Sequence, residues 1–203
     1  MNFEIVKLTN EHIKDVVEVH IGAFPEFFLT FLGPKFLSEF YKSFLDDPMG
    51  IGFVAQDVET KQVLGAIVGP LVPDGYFKRL IKRRWWAFCI ASISAVLKKP
   101  TAIKRLFRAV FYRGESPSGS QRALLSSIAV SPETQGMGVG KSLVDNWVEQ
   151  VKQRQGLGCF LTTDAENNDA INGFYQKLGW QIESTYKTSE GRVMNRYVYD
   201  FKE

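Results

Sequence analysis

A glycine-rich loop that separates a strand pattern from a helix pattern constrains this chain more than any other feature. The apolar run LLSSIAV, typical of a buried strand, leads into SPETQGMGVG, and apolar residues at helical spacing follow the loop. The free N–H groups of a first helical turn and the helix dipole favour an anion, and glycines let a phosphate approach the backbone. We therefore expect a phosphate group beside residues 135–140. The apolar residues after the loop are Leu143, Val144, Trp147, Val148 and Val151.

The spacing of the glycines excludes two common kinds of phosphate loop. A nucleoside-triphosphate loop, G-x-x-x-x-G-K-[ST], would end at Gly140-Lys141-Ser142, but its first glycine position is occupied by Gln135. A dinucleotide loop, G-x-G-x-x-G, would begin at Gly136, but Lys141 stands where its third glycine belongs. The pattern that fits is Q-x-x-G-x-G, read from Gln135 to Gly140.

The other periodicities predict a mixed sheet with helices on both faces, which is an α/β (α+β) fold. A chain of 203 residues is long enough for one packed domain, so we expect a single domain over residues 1–203. The predicted strands are 3–7, 51–56, 63–68, 122–130, 159–163, 181–187 and 192–199, and the predicted helices follow Thr9, cover 35–45, lie within 75–113, follow the glycine loop and cover 170–178.

Charge is distributed unevenly, although the net charge is only +3. Residues 75–113 hold eleven of the 25 Lys and Arg residues and no Asp or Glu, so 14 basic and 22 acidic residues remain elsewhere. We expect this segment to be a basic helical insertion with two amphipathic helices. The residues predicted to share an apolar face are Phe77, Leu80, Ile81, Trp85 and Phe88 in the first helix, and Ile103, Leu106, Phe107, Val110 and Phe111 in the second. The basic residues predicted opposite them are Lys78, Arg79, Lys82, Arg83, Lys104, Arg105 and Arg108.

Two interpretations of the basic insertion stay open. The segment is either a helical cap with solvated charges or a surface that recruits an anionic partner. Interfacial helices pair basic faces with Trp, Phe and Leu, so Trp85 and Trp86 favour an anionic membrane surface over nucleic acid. A phosphate-bearing carrier, such as a nucleotide- or lipid-linked amino sugar, is a further candidate partner.

The sequence predicts a cytoplasmic protein. The beginning of the chain, MNFEIVKLTNEH, lacks the apolar core of a signal peptide, and the apolar run 85–97 is too short to span a bilayer. Cys89 and Cys159 both sit in apolar runs and have no zinc or redox spacing, so we expect buried, reduced thiols and no metal site. Under the membrane interpretation, the protein lies peripherally at the inner membrane face.

Two motifs in this order resemble the GNAT superfamily of acyl-CoA-dependent N-acetyltransferases. They are LLSSIAVSPETQGMGVG and, about 25 residues further on, NNDAINGFYQKLGW. The resemblance covers residues 124–180 well, extends to the N-terminal strand and helices, and does not include the basic insertion. It implies acetyl-CoA as acyl donor, a primary amine as acceptor, and a mostly antiparallel central sheet.

The resemblance also implies roles for individual residues. The loop would hold the CoA pyrophosphate, the backbone of the preceding strand would pair with the pantetheine amides, and one amide N–H of that strand would stabilise the oxyanion. Tyr175 would act as general acid toward the CoA sulfur, and Asn168 would contact CoA. The implied cofactor-binding residues are Ile128, Ala129, Val130, Gln135, Gly136, Met137, Gly138, Val139, Gly140, Lys141 and Asn168.

Structural alternatives exist for the residues of the second motif. Tyr175 shares an apolar stripe with Ile171, Phe174 and Leu178, so it could be a core tyrosine. Asn168 could simply cap the helix that it precedes. Ile171 stands where this helix usually has alanine in the family, and it would narrow the CoA channel.

The general base is the least determined part of the site. Some family members use a glutamate on the strand before the loop, but ALLSSIAV contains no carboxylate, and Ser126 and Ser127 would need a base of their own. Glu26 lies in AFPEFFLTFLG among phenylalanines, which predicts a desolvated carboxylate suited to base catalysis. His20 and an ordered water are the alternatives, and either residue could be purely structural.

The sequence thus predicts an N-acetyltransferase that acts on a small or carrier-linked amine, for example an amino sugar. The alternative is a non-catalytic module that binds CoA or contacts anionic partners through its basic segment.

Overall fold

The computed structural model describes residues 2–98 and 122–201, with side chains described except over 92–98. Within these ranges the chain forms eight strands and six α-helices, and the predicted mixed α/β class is confirmed. The elements are β1 (Phe3–Lys7), α1 (Ile13–Ala23), α2 (Phe28–Leu32), α3 (Pro34–Asp46), β2 (Gly50–Asp57), β3 (Val63–Pro70), α4 (Tyr76–Lys98), β4 (Arg122–Leu124), β5 (Ser127–Val130), α5 (Val139–Gln153), β6 (Gly158–Asp164), α6 (Asp169–Lys177), β7 (Gln181–Lys187) and β8 (Val193–Asp200).

The strands form two four-stranded sheets, with orders β1-β2-β3-β5 and β4-β6-β8-β7. All neighbouring strands are antiparallel except β4 and β6, which are parallel. The single strand predicted over residues 122–130 is therefore wrong in one respect: it is two strands, β4 and β5, that belong to different sheets. The reason is a change of partner. The Leu125 N–H donates to the Phe160 carbonyl, whereas the next N–H, of Ser126, donates to the Val68 carbonyl.

This change of partner opens a gap between β5 and β6. From Ser127 to Val130, β5 pairs only with β3, and beyond Phe160, β6 pairs only with β8. Within the described residues, no strand fills the space between the two facing edges. The gap is the structural feature on which the site depends, because an extended ligand with amide groups could pair with such an edge.

A glycine allows the two sheets to meet at the base of this gap. A Cβ built on Gly69 of β3 would lie 2.0 Å from the Leu124 carbonyl oxygen and 2.8 Å from the Trp147 ring. Any side chain at this position would therefore push β3 away from β4 and from α5. The close approach keeps the two sheets joined where their edges begin to separate.

Helices cover both faces, as the sequence predicts. Helix α5 packs with all five residues of its predicted apolar stripe buried, and it shares a core cluster with Tyr175 and Trp180. Helices α1 and α3 cover the other face around Tyr41 and Tyr76. Each fully buried large apolar side chain contributes about 1.5–3 kcal/mol to folding.

Helix α4 packs along α3, and this arrangement corrects the predicted faces of the basic insertion. Phe88 packs against Phe36 with ring centroids 5.0 Å apart, as expected for an inward face, but Trp85 points outward with Trp86. Cys89 is also exposed, so the prediction of two buried thiols holds only for Cys159. The predicted second helix, with Lys104, Arg105 and Arg108, lies outside the described residues. Among the described residues, no helix is both long and apolar enough to cross a bilayer.

Ion pairs hold α4 against α3. Arg84 donates a hydrogen bond to Glu39 and also forms an ion pair with Asp46. Arg79 Nε lies 3.2 Å from the Asp47 carboxylate oxygen Oδ2. Arg83 lies 3.8 Å from the same Asp47 carboxylate. Of the four basic residues predicted to be solvated, Arg79 and Arg83 keep exposed side chains but are partly neutralised by Asp47, which directly follows α3. Lys78 and Lys82 are exposed, and they have no ion pair within the described part of the chain.

Candidate active site

The glycine loop leads directly from β5 into α5, and its backbone is open. Gly136 and Gly138 have φ angles of +80° and +86°, which only glycine adopts without strain. Gly138 directly precedes α5, and no side chain caps the helix there. A Cβ at either glycine would have no atom within 4 Å, so open space lies in front of the loop. The first-turn N–H groups of α5 lack carbonyl partners one turn earlier, so the loop has the geometry of an anion site.

The loop lies at one end of the gap between β5 and β6. A Cβ on Gly140 would stand 3.6 Å from both Val130 of β5 and Phe174 of α6. The first turn of α5, the end of β5 and α6 therefore meet at this point, and Ile128, Ala129 and Val130 lie along the free edge of β5. The structure thus brings together the predicted loop residues and the predicted backbone residues.

The polar side chains of the loop have partners within the protein. The Gln135 side-chain amide donates to the Val130 carbonyl at 3.5 Å, and Lys141 pairs with Asp145 one helical turn later. The Lys141 charge is therefore partly neutralised by the Asp145 carboxylate. Val139 is buried against the core, whereas Met137 is exposed at the tip of the loop. The main-chain N–H groups, more than these side chains, are available to an anion.

Tyr175 is buried in the shared core cluster and is only 4% exposed. Its ring packs against Trp180 at 5.7 Å and Tyr197 at 5.8 Å between centroids. Burial raises the pKa of the Tyr175 phenol, so it keeps its proton at neutral pH. No hydrogen bond from its hydroxyl to any described residue is present. The protonated, unengaged hydroxyl suits a general acid, although the core position fits a structural tyrosine equally well.

Asn168 directly precedes α6, but its side chain does not cap the helix. Its amide instead donates to Thr163 Oγ1 at 2.8 Å and to the Asp164 carbonyl at 3.0 Å, both at the end of β6. The capping alternative for Asn168 is therefore wrong. Ile171 is exposed rather than part of the buried stripe.

Asn172, one turn after Asn168, is a site-forming residue that the sequence analysis missed. Its side chain donates to the Asp164 and Asn168 carbonyls and accepts from Asn195 and from the Tyr197 hydroxyl at 2.9 Å. It thereby fastens the start of α6 to β6 and β8. The signal was present in the sequence, because asparagines four residues apart share one helical face.

The two candidates for the general base lie in different environments. Glu26 belongs to an exposed connection, residues 24–27, between α1 and α2, so the predicted desolvated carboxylate is wrong. His20 is only 1% exposed, and burial lowers its pKa to about 4. Its Nδ1 lies 2.8 Å from the Tyr41 hydroxyl. A buried imidazole that stays neutral is a weak proton acceptor, so His20 does not fit a direct base role.

Within the described residues, no group of three or more side chains suited to metal binding occurs.

Comparison with known proteins agrees with this geometry. A family model described as the acetyltransferase (GNAT) family matches residues 14–180. No curated protein sequence matches the chain.

Solved structures share the fold at low sequence identity. The ribosomal-protein-S18-alanine N-acetyltransferase from Escherichia coli is 15% identical with a TM-score of 0.61, over 99% of this chain and 95% of that chain. Ard1 from Thermoplasma volcanium is 16% identical with a TM-score of 0.63, over 100% of both chains. A putative streptothricin acetyltransferase from Bacillus anthracis, in complex with acetyl coenzyme A, is 18% identical with a TM-score of 0.52, over 80% of this chain and 68% of that chain.

Proposed function

Because the chain belongs to the GNAT family of acetyltransferases, we propose that it transfers the acetyl group of acetyl-CoA to a primary amine of a small or carrier-linked acceptor. The observation that carries this proposal is the gap between β5 and β6, with the open first turn of α5 at one end. An extended donor with phosphates at one end and amides along its length suits this combination of an anion site and a free strand edge.

The residues present fit acetyl-CoA as acyl donor. Residues 135–140 and the first turn of α5 would hold the pyrophosphate, because this loop has free N–H groups and no side chain in front of it. The backbone of Ile128, Ala129 and Val130 would pair with the pantetheine amides, and Asn168 would contact the donor from α6. When bound, acetyl-CoA supplies an activated thioester carbonyl.

Two groups of the chain would act on the reacting atoms. An amide N–H on the free edge of β5 would stabilise the charge that develops on the carbonyl oxygen. Tyr175 would donate its proton to the departing sulfur, which its raised pKa allows because the phenol is protonated at neutral pH. Glu26 remains our proposed general base, now as an exposed carboxylate in the connection between α1 and α2 and not as a buried one.

The fold alone does not select the acceptor. The solved structures above are named for acceptors as different as an alanine of a ribosomal protein and streptothricin. The acceptor panel should therefore include amino sugars, polyamines, amino acids and peptides with free N-termini. An amino sugar on a phosphate-bearing carrier is the acceptor that best fits the basic insertion.

The proposal is tested by titration calorimetry with acetyl-CoA, followed by measurement of free thiol released with each amine. Binding at micromolar concentration and thiol release with at least one amine are expected. No binding at hundreds of micromolar would contradict the enzyme assignment. Binding without thiol release from any amine would favour the alternative, a non-catalytic CoA-binding module.

A second role for the chain is peripheral contact with an anionic membrane. We define the α4 outer face as Lys78, Lys82, Trp85, Trp86 and Ile90. Trp85, Trp86 and Ile90 are 58%, 56% and 60% exposed, and the two lysines lie next to them on the same side of the helix. Indole rings and lysines on one helical face are typical of interfacial segments. The contact would place the enzyme at the inner membrane face, and sedimentation with liposomes tests it.

A further inference from the structure

A row of three hydrogen-bonding side chains runs from α1 through α3 to β5. His20 Nδ1 lies 2.8 Å from the Tyr41 hydroxyl, and the Tyr41 hydroxyl lies 3.5 Å from Ser127 Oγ. His20 and Tyr41 are buried, whereas Ser127 is only half-buried. Ser127 is therefore the one member of the row that a ligand can reach, and it lies on the strand that borders the gap.

Burial keeps both inner members of the row neutral. It lowers the pKa of His20 to about 4 and raises the pKa of the Tyr41 phenol. No charged side chain contributes to either shift. The packing around His20 is aromatic, with the Phe24 and Tyr41 rings in edge contact at 5.2 Å and 5.8 Å. At neutral pH the row is thus a chain of uncharged hydrogen bonds.

The direction of these bonds depends on which His20 nitrogen carries the proton. His20 Nε2 is buried and has no hydrogen-bond partner. A buried polar atom without a partner costs stability, and natural proteins keep such costs mainly where function requires the arrangement. If Nε2 carries the imidazole proton, Nδ1 accepts from the Tyr41 hydroxyl. The Tyr41 oxygen can then accept from the Ser127 hydroxyl.

With the bonds in this direction, the Ser127 hydroxyl donates its hydrogen bond to the Tyr41 oxygen. The Ser127 oxygen then keeps a lone pair that can accept a hydrogen bond from a ligand in contact with β5. An attacking amine has N–H groups to donate, and a fixed acceptor orients its lone pair. An unfixed serine hydroxyl could instead donate to that lone pair and block the attack.

We propose that Ser127 Oγ accepts a hydrogen bond from the acceptor amine, and that Tyr41 and His20 are positioning residues that hold the Ser127 hydroxyl in this role. The inference rests on the acetyltransferase function proposed above. The side chain of Ser127 would thus contact the amine substrate, whereas the backbone of the same strand would contact acetyl-CoA. No proton is transferred along the row.

Nitrogen NMR tests the direction of the bonds without any substrate. The chain has two histidines, and His12 lies at the surface before α1, so ¹⁵N-histidine labelling gives two resolved imidazoles. We expect His20 to be neutral between pH 7.5 and 5, with its proton on Nε2 and an unprotonated Nδ1. The Nδ1 resonance should shift in Tyr41→Phe. A proton on Nδ1 would reverse the bonds and overturn the proposal.

Kinetics test the role of Ser127, with glucosamine, spermidine, phenylalanine and an alanyl tetrapeptide as the amine probes. Ser127→Ala and Tyr41→Phe should each lower kcat/KM for the amine by roughly 10–100-fold, because a small misplacement of a reacting group has effects of this size. The acetyl-CoA affinity should not change. The double variant should be no slower than either single variant, because both break the same row. Ser127→Thr keeps the hydroxyl and should keep most of the activity.

A matched control separates this role from stability. Tyr76→Phe also removes a buried hydroxyl from the same core cluster, where it donates to the Ser43 carbonyl at 3.1 Å. This variant should lose stability and keep its rate. If Tyr41→Phe behaves like Tyr76→Phe, with a lower Tm and unchanged kcat/KM, the inference is wrong. If the unmodified protein acetylates none of the four probes, both the proposed function and this inference are overturned.

Discussion

The main-chain N–H of Leu125 donates to the carbonyl oxygen of Phe160 at 2.9 Å, and beyond this bond the strands that carry the two residues separate. The next residue bonds to a different sheet, so the separation is fixed by the backbone and does not depend on a ligand. The gap between the facing edges of β5 and β6, where we place the donor, is therefore part of the fold itself.

Substituting Gly138 should weaken acetyl-CoA binding. Gly138→Val places a side chain in the open space before the loop and strains a backbone with φ of +86°. We expect the Kd for acetyl-CoA to rise about tenfold or more, which corresponds to about 1.4 kcal/mol. Titration calorimetry measures the change.

Gly191→Val is the matched control for the backbone strain. Gly191 has φ of +88° and lies in the turn between β7 and β8, away from the loop. This variant should lose stability and bind acetyl-CoA normally. If Gly138→Val binds acetyl-CoA normally, the loop is not part of the acetyl-CoA site.

Removing the Tyr175 hydroxyl should lower turnover and leave donor affinity nearly unchanged. A general acid typically contributes 10²–10⁴-fold to rate, so Tyr175→Phe should reduce kcat by roughly this factor. The ring contacts with Trp180 and Tyr197 are kept, so the fold should persist. Steady-state kinetics with the best amine of the panel measures the effect.

Tyr199→Phe removes a neighbouring phenol hydroxyl and should not alter the rate. Tyr199 of β8 packs against Trp180, the same ring that contacts Tyr175, with centroids 5.7 Å apart. Equal rates for both variants would mean that Tyr175 is a structural residue of the core.

Local periodicity was sufficient to predict some parts of this fold. The apolar stripe of α5 is buried as predicted, because a 3.6-residue period directly determines which face of a helix packs. The glycine loop was also predicted correctly. Its glycines are needed because the backbone has positive φ angles at Gly136 and Gly138.

Tertiary contacts decided what the sequence did not show. Residues 122–130 read as one largely apolar strand, and the change of partner between Leu125 and Ser126 is made by tertiary backbone bonds to Phe160 and Val68. Helix α4 has apolar residues all around it, and the acids of α3 determine that Arg84 faces inward while Trp85 faces outward. Glu26 is surrounded by phenylalanines in sequence but lies in an exposed connection. Sequence neighbours do not establish burial there.

The protein should lose stability in mild acid because of His20. Its folded pKa of about 4 is below the ordinary value of 6.5, so the unfolded chain binds a proton at higher pH than the native state does. The contribution of His20 to the free energy of unfolding is therefore fully present above pH 6.5 and is lost as the pH falls toward 4. Linkage predicts a loss of about 2 kcal/mol between pH 7 and pH 5 from this residue.

Urea unfolding of the protein and of His20→Gln at both pH values isolates this contribution. All other titrating groups are common to the two proteins, so the difference between their pH dependences reports His20 alone. Identical pH dependences would show that His20 is protonated equally in both states.

The ion pairs of Arg84 should stabilise the contact between α3 and α4. Arg84 is partly buried between Glu39 and Asp46, and hydrogen bonds to charged groups contribute about 1.5–3 kcal/mol when buried but less when exposed. Arg84→Gln should therefore lower the free energy of unfolding by about 1–2 kcal/mol. Lys82→Gln removes the same charge from an exposed position, and we expect its stability to match that of the original protein. A similar loss in both variants would argue against a specific role of these pairs.

The α4 outer face should bind anionic bilayers in a salt-dependent way. We expect the protein to sediment with vesicles of phosphatidylglycerol and phosphatidylcholine at low salt, and much less with phosphatidylcholine alone or at high salt. Lys78 and Lys82 together should contribute about 2 kcal/mol near an anionic surface, screened by salt. Lys78→Ser with Lys82→Ser should thus reduce binding by roughly 30-fold, whereas Lys177→Ser with Lys187→Ser removes equal charge from α6 and β7 and should have little effect.

Trp85→Ser with Trp86→Ser should weaken the binding that persists at high salt, because the indole contribution is not electrostatic. If both lysine pairs behave alike, or if neutral and anionic vesicles bind equally, α4 is only a cap on α3, and its exposed tryptophans need another explanation.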